Sequence, residues 1–282
     1  MQKALTQMNL QVHHVVADIT AATGMRINRA IVAGERDPEV LAAHRDPRCH
    51  ATVETIHAAL VGNHREEHLF TLSQALDLYD IHQAKVVECD GRIKSVLDRL
   101  KAVAPDPVGK LPPARHTTKQ PNAPDFDVRG VLHTLLGVDL TQIHGLGPTL
   151  ALKLVGECGT DLAAWPSAKH FTSWLCLAPG NKISGGKVLS SRTRRSSSRV
   201  AALLRLAAVT VGRTETALGA FYRRLSARIG KAKAVTATAR KIAVLFYNTL
   251  RHGMGISVPL PSKWPRAASR PRGSASCTST GA

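Results

Sequence analysis

The chain has 282 residues, 38 Lys+Arg against 20 Asp+Glu and a formal net charge of +18; with 44% hydrophobic residues it can bury real cores, which excludes disorder throughout. Aromatics make up only 4%, so the cores are expected to be built of Leu, Val, Ile and Ala, favouring helices over an aromatic-rich β-sandwich. No uncharged apolar run of about 18 residues appears, and the start, MQKALTQMNLQVHH, lacks a signal-peptide layout, so the expectation is a cytoplasmic protein with a polyanionic partner and no membrane.

Taken in chain order, residues 1–104 read as a helical, coiled-coil-like arm. Leu5, Met8, Val12, Val15, Val16 and Ile19 recur at helical spacing, and Gly24 suits a stop. Met25 to Ala33 repeats the pattern up to Gly34. Asp37-Pro38 is a helix-start signal, with Pro at the first helical position. Thr52 to Val61 predicts another short helix, closed by Gly62. From about Glu66 to Val103 the only Gly or Pro is Gly91. There Leu69, Leu72, Leu76, Tyr79, Gln83, Val86, Asp90, Ile93, Leu97 and Leu100 sit three or four apart, predicting one long helix. Such a stripe serves equally as a dimerisation or spacer arm or as a core helix of a small bundle. Residues 105–124 (PDPVGKLPPARHTTKQPNAP) read as a Pro-rich linker, 125–255 as a second helical domain, and 256–282 as a disordered Pro/Ser/Arg-rich tail.

Metal and disulfide chemistry finds little support in the side chains. The five cysteines, Cys49, Cys89, Cys158, Cys176 and Cys277, are odd in number and none lies within four residues of another. They read as small buried hydrophobes in a reducing compartment. The 13 histidines are scattered without a second pair at ligand spacing, so no metal ligands are assigned.

The charge is concentrated. Residues 1–104 hold 12 basic and 13 acidic side chains, whereas residues 187–251 hold 15 basic and one acidic, Glu215. A solvated face normally mixes signs, so this block points to nucleic acid. Upstream, Ile143-His144-Gly145-Leu146-Gly147-Pro148-Thr149-Leu150-Ala151 has the spacing of a DNA-binding helix–hairpin–helix. There glycines bring backbone close to a phosphate, and the next helix offers free N–H groups and its positive dipole end. Gly145, Gly147 and Thr149 are the candidate contacts; a plain glycine turn between packed helices is the alternative. Next, Pro179, Gly180, Gly185 and Gly186 frame a loop or short hairpin carrying Ser184. Lys187, Arg192, Arg194, Arg195 and Arg199 follow as candidate DNA contacts. Cations around a serine suit attack on a phosphodiester, but Ser190, Ser191 and Ser196 to Ser198 compete for that role.

In order, IHGLGPTLALKLVGECG, a helix with Phe171 and Trp174, LAPGNKISGGK, an Arg-rich turn with ALLRLAA, and FYRRL…GKAKAVTATARKIAVLFYNTL resemble the transposase domain of the IS110 family of insertion-sequence transposases. The resemblance covers about residues 125–255, and the arm in 1–104 is similar to the region preceding that domain. It implies a recombinase of mobile elements that cuts and joins DNA through a covalent phosphoserine, with the nucleophile at Ser184. It further implies homo-oligomers, here through the helical arm, an element-encoded guide RNA, and a bacterial, nucleoid-associated location. Family members also use magnesium through an N-terminal RuvC-like domain with four acidic residues. No alternating strands with paired carboxylates precede the first helix here, so no catalytic role is carried onto Asp18, Glu54, Asp77 or Asp80, and no cofactor is assigned to this chain. The shift to low complexity after about Met254 is read as a frameshift, and the whole as a truncated copy. The competing expectation is a non-catalytic DNA/RNA-binding helix–hairpin–helix module derived from a transposase.

Overall fold

A computed structural model of the chain describes residues 1–103, 109–115 and 123–253. The fold is mainly α, as expected, with one two-stranded hairpin among the described residues. It divides into two compact units, the first Met1–Ser95 and the second beginning at Val96. Of the expected linker only 109–115 and 123–124 are described, and the expected tail 256–282 lies outside the described residues.

The first unit holds α1 (Gln2–Gln7), α2 (Val12–Val15), α3 (Ala22–Val32), α4 (Pro38–Ala43), α5 (Val53–Ala59) and most of α6 (Glu66–Val103). The single helix expected over 5–19 is broken in two. Asn9 takes a left-handed φ of +59°, the Leu10 amide donates to the Leu5 carbonyl at 2.8 Å, and the Asn9 amide donates to Thr6 at 3.0 Å. This pair of hydrogen bonds is a Schellman stop, with Asn in the place glycine usually takes. Gly24 is not a stop either. It lies inside α3, where a Cβ would run into the Ile19 backbone. The other signals read as expected: Asp37 caps α4, accepting from the Glu39 amide at 2.9 Å, and Thr52 caps α5, accepting from Thr55 at 3.2 Å.

Leu5, Met8, Leu10, Ile27, Ile31, Leu41, Ile56 and Leu60 form the core of this unit, and Leu72 and Leu76 of α6 complete it. Beyond them the predicted stripe is mostly uncovered, with Leu97 alone buried. Residues 81–89 of α6 are all exposed, including Ile81, Val86 and Val87. The stripe thus divides between its two readings, with core at its start and a mostly bare face from 81 to 89. Cys89 is exposed there too, unlike the buried thiol expected of it.

The second unit contains α7 (Val128–Leu136), a 3-10 turn (Leu140–Gln142), α8 (Pro148–Cys158), α9 (Ala168–Trp174), β1 (Lys182–Ser184), β2 (Lys187–Ser190), α10 (Arg199–Val211), α11 (Ala217–Ile229) and α12 (Lys231–His252). Helix α12 is the axis, packed against α9, α10 and α11. Its buried face alternates small and large side chains: Ala234, Ala239 and Ala243 let neighbours approach, while Ile242, Phe246 and Tyr247 fill the remaining space. Phe171 of α9 stacks on Phe246 with centroids 6.2 Å apart, and the Tyr247 hydroxyl donates to the Trp165 carbonyl at 2.5 Å.

Candidate nucleic-acid interface

The turn that leads into α8 is held from below by a buried carboxylate. Asp139 caps the 3-10 turn, accepting from the Thr141 amide at 3.0 Å and its hydroxyl at 2.6 Å. Arg129 of α7 donates to the same carboxylate at 2.5 Å and to the Pro112 carbonyl, and Gln142 donates at 2.9 Å. Burial alone would push the Asp139 carboxyl up; these donors together hold it below the ordinary carboxylate range. The following segment is therefore fixed before Gly145 is reached.

Gly145 has a φ of +91°, and a Cβ there would strike the Val211 side chain and come within 3.0 Å of the Ala207 carbonyl. Its close approach is thus to α10. Gly147 is the N-cap of α8 and supplies no capping side chain, and Pro148 occupies the first turn. No side chain caps the α8 N-terminus, which leaves its first-turn amides and the positive end of its dipole open to a ligand. Thr149 stands half-buried in that first turn.

The Ser184 segment is a hairpin with a two-residue loop. Ser184 pairs with Lys187 across Gly185 and Gly186, whose φ values are +54° and +74°. Positive φ at both central residues defines the type I′ turn, whose twist suits a tight hairpin and whose backbone favours glycine. A register irregularity follows, so that Ile183 faces Val188 but Lys182 faces Ser190. Ser184 is exposed and its hydroxyl has no hydrogen-bond partner among the described residues. Of its competitors, Ser190 accepts from the Arg192 amide, Ser196 from the Ser198 amide and Ser198 from the Ala201 amide, so their hydroxyls serve local turns. Ser191 and Ser197 are exposed but belong to the segment after the hairpin. Burial, and secondarily Glu157, pushes the Cys158 thiol up to about 12, so it is no rival nucleophile.

The hairpin is closed at its foot by the Gly180 amide donating to the Arg192 carbonyl at 3.1 Å and by a bridge between Pro179 and Thr193. Lys187, Arg192, Arg194 and Arg195 are exposed, and none has a carboxylate partner among the described residues. Arg199 differs, since it pairs with Glu157 at 3.1 Å. That contact joins the C-terminal end of α8 to the start of α10, while Gly145, before α8, meets the far end of α10. The two helices therefore run antiparallel. The candidate contacts Gly145, Gly147 and Thr149 lie at one end of the pair and the arginine segment at the other. The 11 residues of α8 set the separation at ~16 Å.

Among the described residues no three His, Cys, Asp or Glu side chains stand together in a way that could hold a metal ion. Asp18 spends its oxygen on Thr20, and Asp80 is paired with Arg29. Sequence reasoning missed Lys233, Arg240 and Lys241 of α12. Their spacing of i, i+7 and i+8 puts them on one helical face, a signal that could have found them.

An uncapped helix end and, ~16 Å away, arginines without carboxylate partners beside an exposed hairpin give the second unit two features suited to a polyanionic chain. Residues 139–223 match the family model described as Transposase IS116/IS110/IS902 family. This stretch of the second unit is therefore similar to the transposase domain of that family. No curated protein and no solved structure matches the chain. No helix among the described residues is long and apolar enough to cross a membrane.

Proposed function

We propose that this chain is a DNA transposase whose nucleophile is Ser184. The observation that carries the reading is the free hydroxyl at the corner of a type I′ hairpin, directly across from Lys187 and ahead of unpaired Arg192, Arg194 and Arg195. In the step this arrangement serves, the Ser184 Oγ attacks a DNA phosphorus. A serine–phosphate bond forms as the bond to one deoxyribose oxygen breaks, and that oxygen takes up the proton the hydroxyl loses. The arginines offset the charge that builds on the phosphoryl oxygens. The open end of α8, with Gly145, Gly147 and Thr149, would hold the backbone as a helix–hairpin–helix does, without reading bases. The bare stretch of α6 supports assembly with a second copy through the arm, and an element-encoded guide RNA fits the same basic surface.

The test is a covalent-adduct assay on element-end DNA, with a RuvC-like acidic domain supplied in trans. Ser184→Ala should abolish a protein–DNA species resistant to denaturant, and Ser191→Ala should leave it. An undiminished adduct in Ser184→Ala removes the assignment. The non-catalytic binding module is favoured instead if DNA is bound tightly and no adduct forms in any combination.

A further inference from the structure

A second feature of the DNA-handling unit lies away from the Ser184 corner. Between the foot of the hairpin, α11 and α12 opens a cavity of about 970 Å³, at the upper end of the roughly 300–1,000 Å³ typical of small-ligand sites. Its floor is apolar, with the Phe221 ring and Val244; its cations are Arg192, Lys233, Arg240 and Lys241; no Asp or Glu lines it. The Lys241 ammonium lies over the Phe221 ring, 4.9 Å from its centroid, so one face of the ring carries a cation.

We infer that this cavity receives a single unpaired nucleotide of the DNA, its base against Phe221 and its flanking phosphates on the surrounding cations. The inference rests on the reading of this unit as a DNA-handling domain. Three features select the occupant. A ring with an apolar floor suits the face of a base, which stacks without regard to sequence. Four cations with no acid suit phosphates and repel a basic peptide; the chain's own residues 254–282 carry four basic and no acidic side chains, so they do not match. The size admits one extruded nucleotide and excludes a duplex. Position agrees, because Ser190 and Arg192 line the cavity and Ser190 is three residues along β2 from Lys187, the partner of Ser184. At about 3.3 Å per residue the cavity begins about 10 Å from the hairpin corner. A strand with one phosphate at Ser184 can therefore place a nearby nucleotide in the cavity.

Fluorescence anisotropy with the full chain tests this. The probes are a DNA duplex with one extra unpaired thymine, the same duplex with an extra abasic residue in its place, and the matching RNA pair with uracil. Backbone charge is equal within each pair, so the ratio of affinities reports the base alone. The thymine probe should bind roughly tenfold tighter than the abasic one. Ala237→Phe, which fills the cavity, and Phe221→Leu, which keeps an apolar side chain but removes the ring plane, should each bring the ratio to about one. Equal affinities in the unaltered protein, or a ratio unmoved by both variants, overturn the inference while leaving DNA binding intact. Discrimination confined to the RNA pair overturns the assignment to DNA. Binding to no probe overturns this inference and the DNA reading together.

Discussion

Gly145 and Gly185 both sit at positive φ, but they answer to different surroundings. Around Gly185 nothing stands within 4 Å of an added Cβ, so the constraint is conformational only. Gly145 is pressed onto Val211 and Ala207 as well. Gly185→Ala should cost about 1–2 kcal/mol locally and barely move global unfolding, because the exposed hairpin can fray alone. Gly145→Ala adds overpacking and should cost about 2–4 kcal/mol, visible as a lower urea midpoint for the second unit. Asp139 gives a pH signature at the same scale. Its carboxyl is held low in the folded chain, so its stabilising contribution is complete above the unfolded value of about 3.9 and is lost as pH falls through the folded one. Urea melts taken from neutral pH down to about pH 3 should show this loss in the unaltered protein and less of it in Asp139→Asn. At neutral pH, Asp139→Ala should cost about 3 kcal/mol, since the half-buried Arg129 would be left without its partner.

Among elements, α6 shows what periodicity can and cannot carry. Its span was legible to the residue, Glu66–Val103, because only Gly91 interrupts it and a glycine in an exposed helix costs about 1 kcal/mol, too little to end it. What covers its stripe was not legible, since spacing names a face and not a neighbour. Leu72 and Leu76 meet the first unit's core, and Val86 stays exposed. The glycine turn ahead of α8 was likewise visible, but its first glycine is required by α10, more than fifty residues away, a contact no local pattern reports. Asn9 escaped notice because glycine is the usual residue at that stop. Ile81→Glu with Val86→Glu should therefore convert an oligomer to monomers in sedimentation experiments. The thermal midpoint of the first unit should hold, because neither residue belongs to its core. A monomeric unaltered protein at high concentration would remove the arm from the assembly.

For the whole molecule the distribution of charge matters more than its total of +18. The first 104 residues are nearly neutral, and Arg192, Arg194 and Arg195, which lack carboxylate partners, stand at one end of the α8–α10 pair, with the open helix end at the other. Phosphates along one strand of a duplex are spaced about 3.4 Å apart, so ends ~16 Å apart span about five of them. One duplex can touch both, and the two contacts answer to salt differently. Side-chain cations release counterions on binding, whereas the backbone amides of α8 carry no net charge to do so. The salt slope of DNA affinity should then belong mainly to the arginine end. Arg192→Gln, Arg194→Gln and Arg195→Gln together should shrink the slope of log affinity against log salt by about 2.7 if all three meet phosphates. Blocking the α8 end by Gly147→Asp, which sets a carboxylate at the N-cap, should weaken binding at every salt concentration and change the slope by about one or less. Anisotropy titrations over a salt series separate the two. An unchanged slope in the triple variant would move the DNA surface to the remaining cations of α11 and α12.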